Sequence, residues 1–154
     1  MAANPFFMYD QAALQMANGN IDFAADSFRM VLVGSGYTPD QAADDAWSDI
    51  SANEISGTGY TANGQAIDIS TSNPAARIIM FDGPDQSWAS STLSGVAYAV
   101  IVRDADSNGA LAGTDIPCFC SELEDGGTVS TTNGTLAVTI DADGIYRLSL
   151  TVAA

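Results

Sequence analysis

The residues best equipped for chemistry in this chain are acidic. Asp104-Ala105-Asp106-Ser107-Asn108-Gly109, followed by Asp115, has the D-x-D-x-N-G spacing of a calcium loop with a carboxylate at the twelfth position. Alternating oxygen donors can wrap a hard cation, and glycine permits the sharp turn. Asp104, Asp106, Asn108 and Asp115 are therefore candidate calcium ligands, and calcium is the one cofactor considered. The context favours a plain loop: a strand precedes it, no exiting helix is expected, and Asp is short for bidentate ligation. Asp, Ser, Asn and Gly are also ordinary turn residues. Asp141 and Asp143 could form an acid–base pair, but the Asp143-Gly144 turn explains them more simply. Cys118 and Cys120, two apart, should share one face of a strand, where a bridge between them would be strained. No third Cys and no His are present to complete a zinc site within one chain. They read as two small thiols on a partly buried strand.

Absent residue types remove most other chemistry. The chain has no His and no Lys. The commonest general base, the Schiff-base amine and the phosphate-loop lysine are all missing. Ser and Thr have no base to activate them. Gly57-Thr58-Gly59 lacks the lysine and the helix start of a phosphate cradle. No catalytic residue is assigned, and the expectation is a protein that is not an enzyme.

Charge narrows the partners. The 19 acidic residues face only Arg29, Arg77, Arg103 and Arg147, for a net charge of −15. Such a chain cannot displace counterions from a nucleic acid, and an anionic membrane repels it. Proteins or cations remain as partners. An Asp-rich, Lys-free surface suits concentrated salt, and a GC-rich genome that avoids Lys codons would produce the same composition.

The elements that must carry these residues follow from length and patterning. At 154 residues and 47% apolar content, the chain suits one domain with a real core. No apolar stretch approaches the roughly 20 residues of a bilayer span. The N-terminus has neither a basic region nor a long apolar one, so cytoplasmic synthesis is expected. Residues 1–20 read as an extended arm and a short helix that stops at Asn18-Gly19-Asn20, and residues 21–154 as a β core. Phe28 to Val33 is a central strand. Thr38-Pro39-Asp40 should open a helix running to about Ile50, with Ala43, Ala46, Trp47 and Ile50 on one face. Asn53 to Gly64 is a loop of tight turns. Ala66–Ser70, Arg77–Asp82 and Val96–Arg103 read as strands, and Ala110–Leu123 as a strand interrupted near Pro117. Thr135–Asp141 and Tyr146–Val152 should form a C-terminal hairpin across Asp143-Gly144. The predicted fold is mainly β: an antiparallel β-sandwich or open, jelly-roll-like barrel in a single domain, with one or two short helices. Trp47 and Trp88 are expected in the core. Phe6, Phe7 and Tyr9 form an apolar arm that either packs back or docks on a neighbour.

Four stretches together resemble a family of small virion structural proteins encoded by tailed phages. They are Asp26–Val33 with Tyr37–Asp40, Trp47–Ile50 with Asn53–Thr61, Trp88–Leu93 with Tyr98–Asp104, and Asp143–Leu148. Their order and spacing resemble the family's from about residue 6 to the end, and Asn53-Glu54-Ile55-Ser56-Gly57-Thr58-Gly59-Tyr60-Thr61 is the most specific of them. The resemblance implies a capsid decoration (cement) role on the exterior of the virion. The implied partners are a major capsid protein and copies of the chain itself, as a trimer. A tail, head–tail connector or fibre subunit is the alternative, and a calcium-dependent carbohydrate-binding adhesion module a further one. The chain departs from the family in lacking Lys, in its two cysteines and in its acidity, and no catalytic residue is carried over. Phe6, Phe7, Tyr9, Glu54 and Tyr60 are the interface candidates. Deleting residues 1–9 is then expected to abolish particle binding and leave the domain folded.

Overall fold

Two long apolar runs, at Phe28–Val33 and Val96–Val102, need cover on both faces, and the rest of the chain supplies it. The computed structural model describes residues 4–151. Its elements are β1 (Phe7–Met8), α1 (Asp10–Ala17), β2 (Ser27–Gly34), α2 (Trp47–Ile50), β3 (Gln65–Ile67), β4 (Ser70–Ala75), β5 (Ile78–Asp82), β6 (Gln86–Asp104), β7 (Pro117–Glu122), β8 (Val129–Val138) and β9 (Tyr146–Ser149). The larger sheet has the order β1-β7-β6-β2-β3, with β8 paired to the first half of β6, and the smaller is β4-β5-β9. All strand pairings are antiparallel. The result is a β-sandwich rather than a closed barrel, with two short helices, as the patterning predicts.

Each face of the larger sheet carries its own core. Phe28, Met30, Leu32, Ala99, Ile101 and Phe119 point toward the small sheet and meet Phe81 and Ile145. Phe23 sits among them, 5.2 Å from Phe28, 5.0 Å from Phe81 and 5.3 Å from Phe119 between ring centroids. Burial of each such ring stabilises by roughly 1.5–3 kcal/mol. Val31, Val33, Val100, Val102 and Cys120 point the other way, under Tyr9, Tyr37, Trp47 and Ile50. A register shift beside Ala97 places Val96 and Tyr98 in different cores although they are two residues apart.

Several expectations are corrected. The helix predicted over residues 39–50 exists only at Trp47–Ile50, followed by a 3-10 turn at Ser51–Asn53. Aspartates take the backbone donors upstream of it. Asp40 Oδ1 accepts the amides of Ala42 and Ala43, and Asp44 Oδ2 accepts that of Asp40. Ala46 is extended, and Asp49 Oδ2 accepts its amide to cap the short helix. The C-terminal hairpin does not form. The Asp141–Gly144 turn is present, with Gly144 N–H bound to Asp141 O, but it carries the chain from one sheet to the other. Ile140 N–H is held by Asp85, and Ile145 N–H by Phe81 O, so β8 stays on β6 while β9 joins β5. Residues 110–116 are loop, and only Pro117–Glu122 is strand. The predicted strand at Ala66–Ser70 is divided between β3 and β4, in different sheets.

The two cysteines do not share a face. The β6–β7 register shifts between Ile101 and Val102, which pair with Phe119 and Pro117. Cys118 therefore lies in the first core and Cys120 in the second.

Candidate interaction surface

The carboxylates that the sequence offers as ligands are occupied by the chain's own backbone. Asp104 accepts the amides of Asn108 at 3.3 Å and Gly109 at 2.8 Å. Asp115 accepts those of Ala105 at 3.3 Å and Ala112 at 2.8 Å. Both residues are buried, whereas Asp106 and Asn108 are exposed. Asn108 Oδ1 turns back to the amide of Ala110. Among the described residues, no group of three or more His, Cys, Asp or Glu is placed to hold a metal ion. The loop instead props up α2, because Trp47 N–H and Ser48 N–H bind the carbonyls of Asp115 and Gly113. Asp141 and Asp143 are exposed. Asp141 Oδ1 accepts the amide of Asp143, and Asp143 pairs with Arg147 at 2.6 Å.

The N-terminal arm packs back on its own domain. Phe7 pairs with Cys120 and Met8 with Phe119, so β1 extends the larger sheet. Phe6 is buried, Tyr9 fully so, and Phe7 partly, with its ring 5.0 Å from that of Tyr9. Ser121 Oγ donates to Asn4 O, Gln41 Nε2 donates to Met8 O, and the Tyr9 and Tyr37 hydroxyls lie 2.7 Å apart. Tyr37 in turn donates to Asp44. Phe6, Met8 and Tyr9 are part of the cores, so loss of residues 1–9 removes interior packing as well as an arm. The expectation that the truncated domain stays intact does not fit this packing.

Glu54 and Tyr60 form a strap inside the most specific motif. Beyond Met30, β3 no longer covers the edge of β2. Ile55 N–H binds Leu32 O, and Leu32 N–H binds the Tyr60 hydroxyl at 3.2 Å. Tyr60 donates to Glu54 Oε1 at 2.7 Å, which also accepts Asn63 N–H at 2.6 Å. The strap crosses β6, where Thr58 and Thr92 form an antiparallel bridge and Thr92 N–H donates to Thr58 O at 2.9 Å. Gly59, at φ +79°, leaves only 2.8 Å between a notional Cβ and Ser91 Cα, so the crossing requires glycine. Burial raises the Tyr60 phenol well above its ordinary pKa, and the Glu54 carboxylate adds to the shift. Trp47 and Trp88 are core residues, and the Trp88 indole N–H is buried without a partner.

The thiols are not poised as nucleophiles. Burial pushes Cys118 far up and Cys120 up to about 12. Burial also raises Tyr9 and Tyr37; the Cys120 thiol next to Tyr9 and the Asp44 carboxylate bonded to Tyr37 push in the same direction.

A groove of about 470 Å³ runs between the arm and the turn before β9, lined by Pro5, Phe6, Asp143, Tyr146 and Arg147 among others. Another of about 360 Å³ opens between α1 and the small sheet, against Met16, Phe23, Ile79 and Leu148. Patterning did not single out the small sheet, whose outer face carries Ile78, Met80, Asp82 and Arg147. Among the described residues, no helix is long and apolar enough to cross a membrane. No family model matches the chain, and neither does any curated protein or solved structure.

Proposed function

We propose that the chain is a non-enzymatic structural subunit of a tailed-virus particle, a capsid decoration protein that reinforces the shell through protein–protein contacts. What carries the reading is the four-segment resemblance, together with the work those segments do in the fold. Asp26–Val33 supplies the central strand and the Asp26–Arg103 ion pair at 2.7 Å. Asn53–Thr61 is the strap, and Tyr98–Asp104 is the half of β6 shared by both cores. Asp143–Leu148 makes the crossover into β9.

The chemistry supports the same reading. His and Lys are absent, the thiols are buried, and Asp104 and Asp115 are bound by backbone amides. A rigid sandwich repeated over many symmetry-related sites reinforces a shell even when each copy contributes modest area. The major capsid protein and neighbouring copies are the partners in this proposal, and the outside of the virion is its location.

Composition of purified particles tests the proposal. A decoration subunit should be present in hundreds of copies and lie on the outer surface of a particle reconstruction. About six to a dozen copies would make it a junction or tail component instead. Absence from the particle would overturn the reading.

A further inference from the structure

Four asparagines in this chain are followed by glycine: Asn18, Asn63, Asn108 and Asn133. Asn-Gly pairs can lose the side-chain amide without an enzyme. The glycine backbone nitrogen gives up its proton and attacks the asparagine Cγ. Ammonia leaves, and a five-membered succinimide closes. Water then opens either carbonyl of the ring, giving aspartate or, with an extra methylene in the backbone, isoaspartate. The net change is one water taken up and one ammonia released. Glycine favours the attack because no Cβ hinders it. Asn4 and Asn73 precede proline, which has no N–H to give up.

Ring closure needs a free carboxamide, a glycine amide not held by an acceptor, and a backbone able to rotate between them. The fold withholds these at three of the four pairs. Asn63 Oδ1 accepts the Leu111 amide, its N–H donates to Glu54, and its carbonyl accepts Arg29 Nε. Gly64 is buried against the Met30 backbone, and its N–H donates to Thr61 O. Asn108 Oδ1 accepts the Ala110 amide, and Gly109 N–H donates to the Asp104 carboxylate at 2.8 Å. That carboxylate holds the proton and repels the anion its loss would create. Asn133 is exposed, but its N–H donates to Thr92 Oγ1. Gly134 lies opposite Ser91 in the β6–β8 ladder and accepts its hydroxyl, so rotation there breaks the ladder.

Asn18 differs on every count. It follows the last residue of α1 and is exposed, as is Gly19. Among the described residues its carboxamide has no hydrogen-bond partner. Nothing lies within 4 Å of a notional Gly19 Cβ. Gly19 N–H donates to Met16 O at 3.1 Å, a bond of the final helical turn, where helices fray.

We propose that Asn18 is a site of spontaneous deamidation in the folded chain, and that the fold protects the other three Asn-Gly pairs. The product alters the end of α1. A carboxylate at residue 18 stands beside the terminal carbonyls of the helix, where negative charge is disfavoured. Isoaspartate lengthens the backbone just before Asn20 and Ile21, whose amides both bind Gln15 O. The modification therefore loosens the last turn of α1, where Met16 and Gly19 line the groove against Phe23 and Leu148. This chemistry does not depend on where the chain assembles.

Peptide mass spectrometry of the full chain, held folded in mildly alkaline heavy-oxygen water, is the test. Each event marks the reacting residue with heavy oxygen. Asn18 should react at least about tenfold faster than Asn63, Asn108 and Asn133. In urea the four should react within a few-fold of one another, because the fold no longer separates them. Asn18→Gln, whose ring would be six-membered, should abolish the fast reaction. Asp104→Ala frees the Gly109 amide and should speed Asn108 about tenfold with Asn18 unchanged, circular dichroism showing that the variant is folded. Reaction spread evenly over the four pairs of the folded chain, or fastest at any pair but Asn18, overturns the proposal. So does a ranking that persists in urea, a fast reaction that survives Asn18→Gln, or an Asn108 rate that folded Asp104→Ala leaves unchanged.

Discussion

Replacing Tyr60 by Phe removes one oxygen atom and tests whether the strap is a structural joint. That hydroxyl donates to Glu54 Oε1 and accepts the amide of Leu32, a residue with no exposed surface. A hydrogen bond to a charged group contributes about 1.5–3 kcal/mol, and an abandoned buried amide costs about 1–3 kcal/mol. The two losses overlap, because the strap relaxes once, and a net destabilisation of about 2–4 kcal/mol is expected. For a domain of this length that corresponds to a fall in Tm of about 5–12 °C. Glu54→Gln keeps an acceptor but loses its charge and should cost about 1 kcal/mol. The double variant should show a coupling energy of about 1–2 kcal/mol. Urea unfolding followed by circular dichroism and tryptophan fluorescence measures all three. A loss below about 0.5 kcal/mol for Tyr60→Phe refutes the structural account. If that variant also lost particle binding, Tyr60 would be a contact residue instead.

Two further outcomes follow from the same geometry. Tyr9, Tyr37, Tyr60, Cys118 and Cys120 all have folded pKa values above their unfolded ones, chiefly through burial. Their stabilising contribution is complete below the unfolded values, near 8.5 for Cys and 10 for Tyr, and is lost as pH rises toward the folded ones. Well above its unfolded value each group costs ~1.4 kcal/mol per pH unit, so the two thiols remove roughly 4 kcal/mol by pH 10 and all five together roughly 6 kcal/mol more by pH 11, which exhausts the stability of an ordinary domain. Urea midpoints should be flat up to about pH 8, decline as the thiols titrate in the unfolded chain and collapse between about pH 10 and 11, and a flat profile through that range refutes the burial of these groups. Asp104→Ala should lower Tm by about 4–8 °C by freeing the amides of Asn108 and Gly109, while millimolar calcium should leave the native Tm within about 1 °C. A calcium-dependent rise of several degrees that Asp104→Ala abolishes would restore the loop as a metal site.

Local chemistry made much of this fold legible. Apolar runs and alternation located β2, β5 and the second half of β6, because a strand with a buried face must show that pattern wherever it lies. The acid excess and the absence of His and Lys narrowed the chemistry before any coordinates. The length of α2 was misread because Asp40, Asp44 and Asp49 look like good residues for a helix start. Their side chains instead capture nearby amides and hold the backbone in turns.

Pairing was decided by tertiary structure alone. The period of Leu136, Val138, Leu148 and Leu150 states which face is apolar and says nothing about which strand lies alongside. Asp85 and Phe81, far away in sequence, capture the two ends of the Asp141–Gly144 turn and send β8 and β9 to different sheets. One-residue shifts beside Ala97 and Cys118 likewise redirect every side chain beyond them, and no local preference announces such a shift. The candidate site divides along the same line. Every residue of the Asp104 loop, the arm and the strap was visible in sequence, yet only the fold shows that Asp104, Asp115, Tyr9, Glu54 and Tyr60 are bound to the chain itself. The acid-free stretches 69–81 and 144–154 were equally visible. That residues 78–81 and 146–149 lie side by side in one sheet depends on the β5–β9 pairing, which joins residues about 70 positions apart.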